Sequence, residues 1–155
     1  MEKVSGAAWQ PTVPALLQLV AASGAPRLRA AFAAAGLDGL RPAHAVALVH
    51  LVAGALHASA LADRLGVTRQ AVAQAVGPLE RHGYVTRSRD DLDARTLLIE
   101  LTPRGRKALR VMRTNAKVIE RDWRQTLGQK RFDDLRTTLQ MLLAHDPRLG
   151  SLARS

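Results

Sequence analysis

Between Leu65 and Thr68 the chain has only Gly66 and Val67 in which to end one helix and begin another. Leu61, Ala62 and Leu65 fall on one helical face, with Asp63 and Arg64 on the wet side. Ser59 is placed to cap this helix, since its hydroxyl can accept a first-turn N–H. Gly66 stands where a left-handed residue closes a helix. Val67 is positioned to plug the core, and Thr68 has the side chain of a second N-cap. The next helix carries Val72, Val76 and Leu79 at i, i+4 and i+7, a buried stripe. Two short helices joined through a glycine turn make a helix-turn-helix.

The chain beyond this pair adds a hairpin. His82-Gly83 closes the second helix. Tyr84 to Arg87 and Thr96 to Leu101 are β-rich runs, separated by Ser88 to Arg95. Asp residues in that connection favour turns. Arg87, Arg89 and Arg95 therefore sit on a projecting wing, suited to phosphates or to a narrow minor groove. In this geometry the N-terminal end of the second helix approaches base edges. Arg69 suits guanine, and Gln70 and Gln74 suit adenine. The small side chains of Ala71 and Ala73 allow close approach, and Thr68 with the nearby amides can hold a phosphate.

Four stretches carry a family resemblance. They are Leu65-Gly66-Val67-Thr68-Arg69-Gln70, Leu79-Glu80-x-x-Gly83-Tyr84-Val85, Arg87-x-x-Asp90-x-x-Asp93-x-Arg95 and Leu101-Thr102-x-x-Gly105. Together they resemble the MarR (multiple antibiotic resistance regulator) family of winged helix-turn-helix transcription factors. The wing pattern is the most specific of the four. The resemblance implies a homodimer that binds operator DNA, commonly as a repressor. It implies that Asp93 positions Arg95 and that Arg95 contacts DNA. It also implies release by a small aromatic or anionic effector. The sequence departs from the family pattern at Ala94, Gln74, Gly77 and Pro78. Pro78 inside a helix removes a backbone bond and crowds the carbonyl of Gln74, which predicts a kink or a distorted turn.

Composition narrows the function class. The 155 residues carry a net charge of +10 and an isoelectric point near 11.4, which suits a polyanionic partner. There are no cysteines, so thiolate metal sites and thiol chemistry are excluded. At 3% aromatic content, base-stacking platforms of the single-strand type are not expected. His44, His50 and His57 lack the convergent partners that a zinc site needs. Asp90, Asp91 and Asp93 lack the glycine and terminal Glu of a calcium loop. No nucleophile elbow or phosphate-cradling loop appears, so the expectation is no enzyme, no cofactor and no metal. No apolar run is long enough to span a bilayer, and the basic start of a signal peptide is missing; a cytoplasmic protein is expected.

The flanking segments read as helices. Residues 12–35 are helical in character and broken at Ser23-Gly24-Ala25-Pro26, with Ser23 a cap and Pro26 in the first turn of a restart. Arg41-Pro42 starts a helix that ends near Gly54, and Leu56-His57-Ala58 is a minor third strand. Thr102-Pro103 starts a long helix reaching about Gln125. Arg104, Arg106, Lys107, Arg110 and Arg113 crowd its first turns and oppose its dipole. DNA phosphate and plain solvation are both candidates to compensate. Lys130 to His145 forms the last helix, stopped by Asp146-Pro147. The outer apolar faces lack partners within one chain, which points to a second copy. Trp9 reads as a staple onto such a partner or as a wall of a ligand pocket.

The expected fold is mainly α with a small β-wing (α+β). Residues 1–36 and 103–155 form dimerisation helices around a DNA-binding domain at residues 37–102. The expected function is a sequence-specific, double-stranded DNA-binding regulator. The alternatives are a winged-helix protein-interaction module and a nonspecific DNA-coating protein.

Overall fold

A computed structural model describes residues 10–90 and 96–145. Trp9, Asp93, Arg95 and the Asp146-Pro147 stop lie outside the described residues. In chain order the elements are α1 (Val13–Ser23), α2 (Ala25–Ala34), α3 (Pro42–His50), β1 (Leu56–His57), α4 (Ala58–Leu65), α5 (Arg69–Arg81), β2 (Val85–Arg89), β3 (Leu97–Leu101), α6 (Pro103–Leu127) and α7 (Gln129–Ala144). Helices dominate, and a three-stranded antiparallel sheet of order β1-β3-β2 completes a winged helix-turn-helix.

One core joins the helix pair to the wing. Leu61 of α4, Val72, Val76 and Leu79 of α5, and Tyr84 and Val85 at the start of the hairpin are all under 3% exposed. Phe32, Leu37 and Leu48 close the core from α2, its following turn and α3. The helix-turn-helix follows its sequence signature closely. Gly66 adopts φ 66°, ψ 33°, and the Thr68 hydroxyl accepts the Ala71 N–H at 3.1 Å. The third strand is real but two residues long, pairing Leu56 with Ile99 and His57 with Leu98.

Several local expectations are corrected. Ser59 does not cap α4. Pairing with β3 holds the chain extended through His57, so the helix begins at Ala58 and Ser59 falls inside it. Val67 is 46% exposed instead of plugging the core. The turn is closed by backbone bonds, from Gly66 N–H to the Asp63 carbonyl and from Val67 N–H to that of Ala62. Ser23 does not cap α2, because its hydroxyl donates back to the Val20 carbonyl at 2.7 Å and Gly24 alone separates the two helices. The helix α3 stops at His50, short of Gly54, and its end decays through i→i+3 turns. Pro78 does not interrupt α5. Its neighbours Val76 and Leu79 are locked in the core, and the following turn is kept by the His82 N–H to Pro78 carbonyl bond.

The Leu101-Thr102-x-x-Gly105 pattern has a plain physical origin. Thr102 caps α6 by accepting the Gly105 N–H at 3.1 Å. Its hydroxyl also donates to the Gly83 carbonyl at 2.6 Å, and its own N–H bonds the Tyr84 carbonyl. A Cβ on Gly105 would overlap the carbonyl oxygen of Tyr84. The first turn of α6 thus lies directly on the backbone where the wing begins. At the far end, Phe132 of α7 packs against the guanidinium groups of Arg124 and Arg136, at 4.2 and 5.2 Å from its ring centroid, and Glu120 bridges both arginines.

Two of the crowded α6 cations are satisfied within the chain. Arg104 donates to the Gly36 carbonyl at 3.1 Å, and Lys107 to that of Ala35 at 2.7 Å. Both terminate α2, where cations complement the helix dipole. DNA phosphate is therefore not needed to account for these two.

Candidate nucleic-acid interface

The outward face of α5 is set by its inward one. Anchoring Val72, Val76 and Leu79 turns Arg69, Gln70, Ala73 and Gln74 to solvent, while Ala71 is half-buried. The chain approaches Thr68 extended, at φ −74°, ψ 157°. The hydroxyl of Thr68 serves the Ala71 amide, which leaves earlier first-turn amides directed outward at the positive end of the helix dipole. Four of the sequence-selected residues, Thr68, Arg69, Gln70 and Gln74, thus share one exposed end of one helix. Their side chains match acceptors and donors on guanine and adenine edges.

The wing is tied to the helix pair by one Arg–Glu ion pair and one His–Asp contact. Arg87 Nε lies 3.0 Å from Glu80 Oε2 in the last turn of α5. Asp90 Oδ2 lies 3.0 Å from His57 Nε2, at the start of α4. The Asp90 N–H bonds the Thr96 carbonyl at 3.1 Å and extends the hairpin past β2. Arg87 is half-buried on this support, whereas Arg89, opposite Leu97 in the register, is exposed. Sequence reasoning selected Arg87 and Arg89 alike and passed over Glu80 and His57. Glu80 and Arg87 are seven residues apart, and only the tight return at Gly83 brings them together.

Behind this surface, Tyr84 is fully buried and donates to the Asp38 carbonyl at 2.7 Å. Burial raises its pKa, and Arg104, 5.0 Å from the ring centroid, partly offsets the shift. Arg64 reaches back to the His50 carbonyl at 3.3 Å and caps α3. Burial holds the His50 imidazole below its usual pKa, and the Arg64 charge adds to the effect.

Two open cavities of about 500 Å³ each flank α6. One, against α2, is lined by Ala31, Lys107, Arg110, Val111, Thr114, Asn115 and Val118. The other is an apolar groove between α1, α6 and α7, with Leu16, Leu17, Val20, Trp123, Leu135 and Leu139 in its walls. Among the described residues, no helix is long and apolar enough to cross a membrane, and no cluster of three or more His, Asp or Glu could hold a metal.

A helix-turn-helix with a three-stranded wing, exposing a polar recognition helix, defines a class of DNA-binding regulators. Within that class, residues 38–96, the winged helix-turn-helix, match the family model described as the MarR family. A probable transcriptional regulator from Pseudomonas aeruginosa is similar over 84% of this chain and 96% of its own, at 28% identity and a TM-score of 0.66. A MarR transcriptional regulator from Methanosarcina mazei matches over 86% and 94% at 19% identity, with a TM-score of 0.73. A MepR variant from S. aureus, solved bound to an oligodeoxyribonucleotide, matches over 88% and 99% at 19% identity, with a TM-score of 0.56. At such identities the last two speak for the fold. No curated protein is significantly similar in sequence.

Proposed function

We propose that this protein is a dimeric, cytoplasmic repressor that reads a two-half-site operator in double-stranded DNA. The observation that carries the reading is the exposed amino-terminal end of α5, where Arg69, Gln70 and Gln74 stand clear of a core that fixes the helix through its valines. Thr68 and the first-turn amides hold a phosphate, Ala71 permits close approach, and Arg69, Gln70 and Gln74 read base edges in the major groove. Arg89 and Arg95 serve the wing, with Asp93 positioning Arg95. Arg87 contributes through its Glu80 support, which sets the wing beside the helix. The uncovered apolar sides of α1 and α7 pack on a second copy. A small aromatic or anionic effector is placed in the cavity between α2 and α6, where Lys107 supplies charge above an apolar floor.

The test is binding to the protein's own upstream intergenic DNA and to a shuffled control across a salt series. A preference of about 10³-fold or more at physiological salt is the expected outcome. Arg69→Ala should lower that preference by about 1–3 kcal/mol at one base position. Equal and steeply salt-dependent affinities favour a DNA-coating protein instead, and negligible binding to both sequences favours a protein-interaction module.

A further inference from the structure

We propose that one face of α6 is a second phosphate-binding surface, which holds duplex DNA flanking the segment gripped by the winged helix. The inference rests on the DNA-reading function above. Arg106, Arg110, Arg113 and Lys117 recur at i, i+4, i+7 and i+11. On a regular helix they share roughly 60° of arc and extend over about 16 Å. All four are exposed, opposite the buried Ala108 and Asn115. None of them has an ion pair or a side-chain hydrogen bond among the described residues.

The rest of the helix treats its charges differently. Arg104 and Lys107 are matched to the carbonyls that end α2. In the distal half Glu120 engages Arg124 and Arg136, and Asp122 engages Arg27. Between Leu101 and Ile119 there is no Asp or Glu at all. Four mutually repelling cations therefore remain on one face of the helix, and the first of them, Arg106, lies in the turn where the dipole opposes it. Their natural complement is an anion with closely spaced charges.

Duplex DNA fits this description. It carries one charge per about 1.7 Å of axis, so a stretch of about 16 Å offers each of the four cations a phosphate. A small anion would meet only one or two of the four. A membrane surface needs an exposed apolar face beside the charges, and the apolar side of this part of α6 is packed in the core. Placement also favours DNA. The Arg106 N–H bonds the Thr102 carbonyl in the first turn after β3, so the row starts at the base of the wing. Contacts of this kind add affinity and carry no sequence information.

The experiment measures affinity of the full chain for random-sequence duplexes of about 20 and about 40 base pairs, the shorter spanning only two half-sites. Fluorescence anisotropy across a KCl series compares wild type with R106Q/R110Q/R113Q/K117Q and with the charge-keeping R106K/R110K/R113K. On the long duplex the glutamine variant should show a salt slope shallower by about 2–4, at ~0.9 per lost phosphate contact. On the short duplex its slope should match wild type, and the lysine variant should match wild type on both. Unchanged melting of the glutamine variant confirms that it is folded. Equal slopes on the long duplex overturn the proposal and leave a solvated face. Equal losses on both lengths overturn it as well, by placing the row inside the primary contact. Absence of any binding by wild type overturns the underlying DNA reading itself, which is a distinct result.

Discussion

Gly105 shows how one side chain, or its absence, fixes the relation between two parts of the molecule. Any Cβ there meets the Tyr84 backbone, which cannot move aside as a flexible side chain would. Gly105→Ala should destabilise the fold by about 3 kcal/mol or more, within the severe class caused by overpacking and strain, and a urea melt measures this. His50 sets a pH dependence. Its folded-state pKa lies below its unfolded one, so above about pH 6.5 both states are neutral and it has no effect. As the pH falls through that value the unfolded chain takes the proton first, and stability declines until the folded pKa is passed. His50→Leu should therefore flatten the acid side of a Tm-against-pH profile relative to wild type. Residue-scale pairings were the least legible in sequence. Glu80 with Arg87, and His57 with Asp90, look like unrelated surface charges until the hairpin folds back.

At the scale of the element, α5 was legible almost to the residue. Its three buried side chains repeat at helical spacing and Thr68 caps it in the expected way. The start of α4 was not, because it is decided by a strand pairing with Ile99 and Leu98, far along the chain. A cap read from local residues cannot anticipate that. α5 continues through Pro78 for a related reason. Intrinsic propensity counts the lost bond at Gln74, while packing of Val76 and Leu79 holds the helix together regardless. The missing bond should still be recoverable. Pro78→Ala should raise unfolding stability by about 1–3 kcal/mol, with operator affinity retained, as read by thermal melts beside a binding titration.

For the whole molecule, the outer helices show what one chain lacks. No residue of α1 is buried, and Val13 and Leu19 are 66% and 58% exposed, as are Met141 at 65% and Leu142 at 59% on α7. The second copy proposed above is what covers them. Leu16→Glu with Leu19→Glu should halve the mass found by sedimentation and lower affinity for a two-half-site duplex by 10-fold or more, about 1.4 kcal/mol, while circular dichroism stays helical. The apolar faces of the outer helices were legible in sequence; the grip of α6 on the wing was not, since it depends on a glycine meeting backbone. That grip has a mechanical consequence. The helix α6 is a rod of roughly 37 Å, seated at one end on the wing and clamped at the other around Phe132. Tilting such a rod by 5° swings its tip by about 3 Å, close to the rise of one base pair. In the proposed dimer, two reading heads mounted this way behave as the jaws of a caliper, and the proposed operator is the length to which the caliper is set.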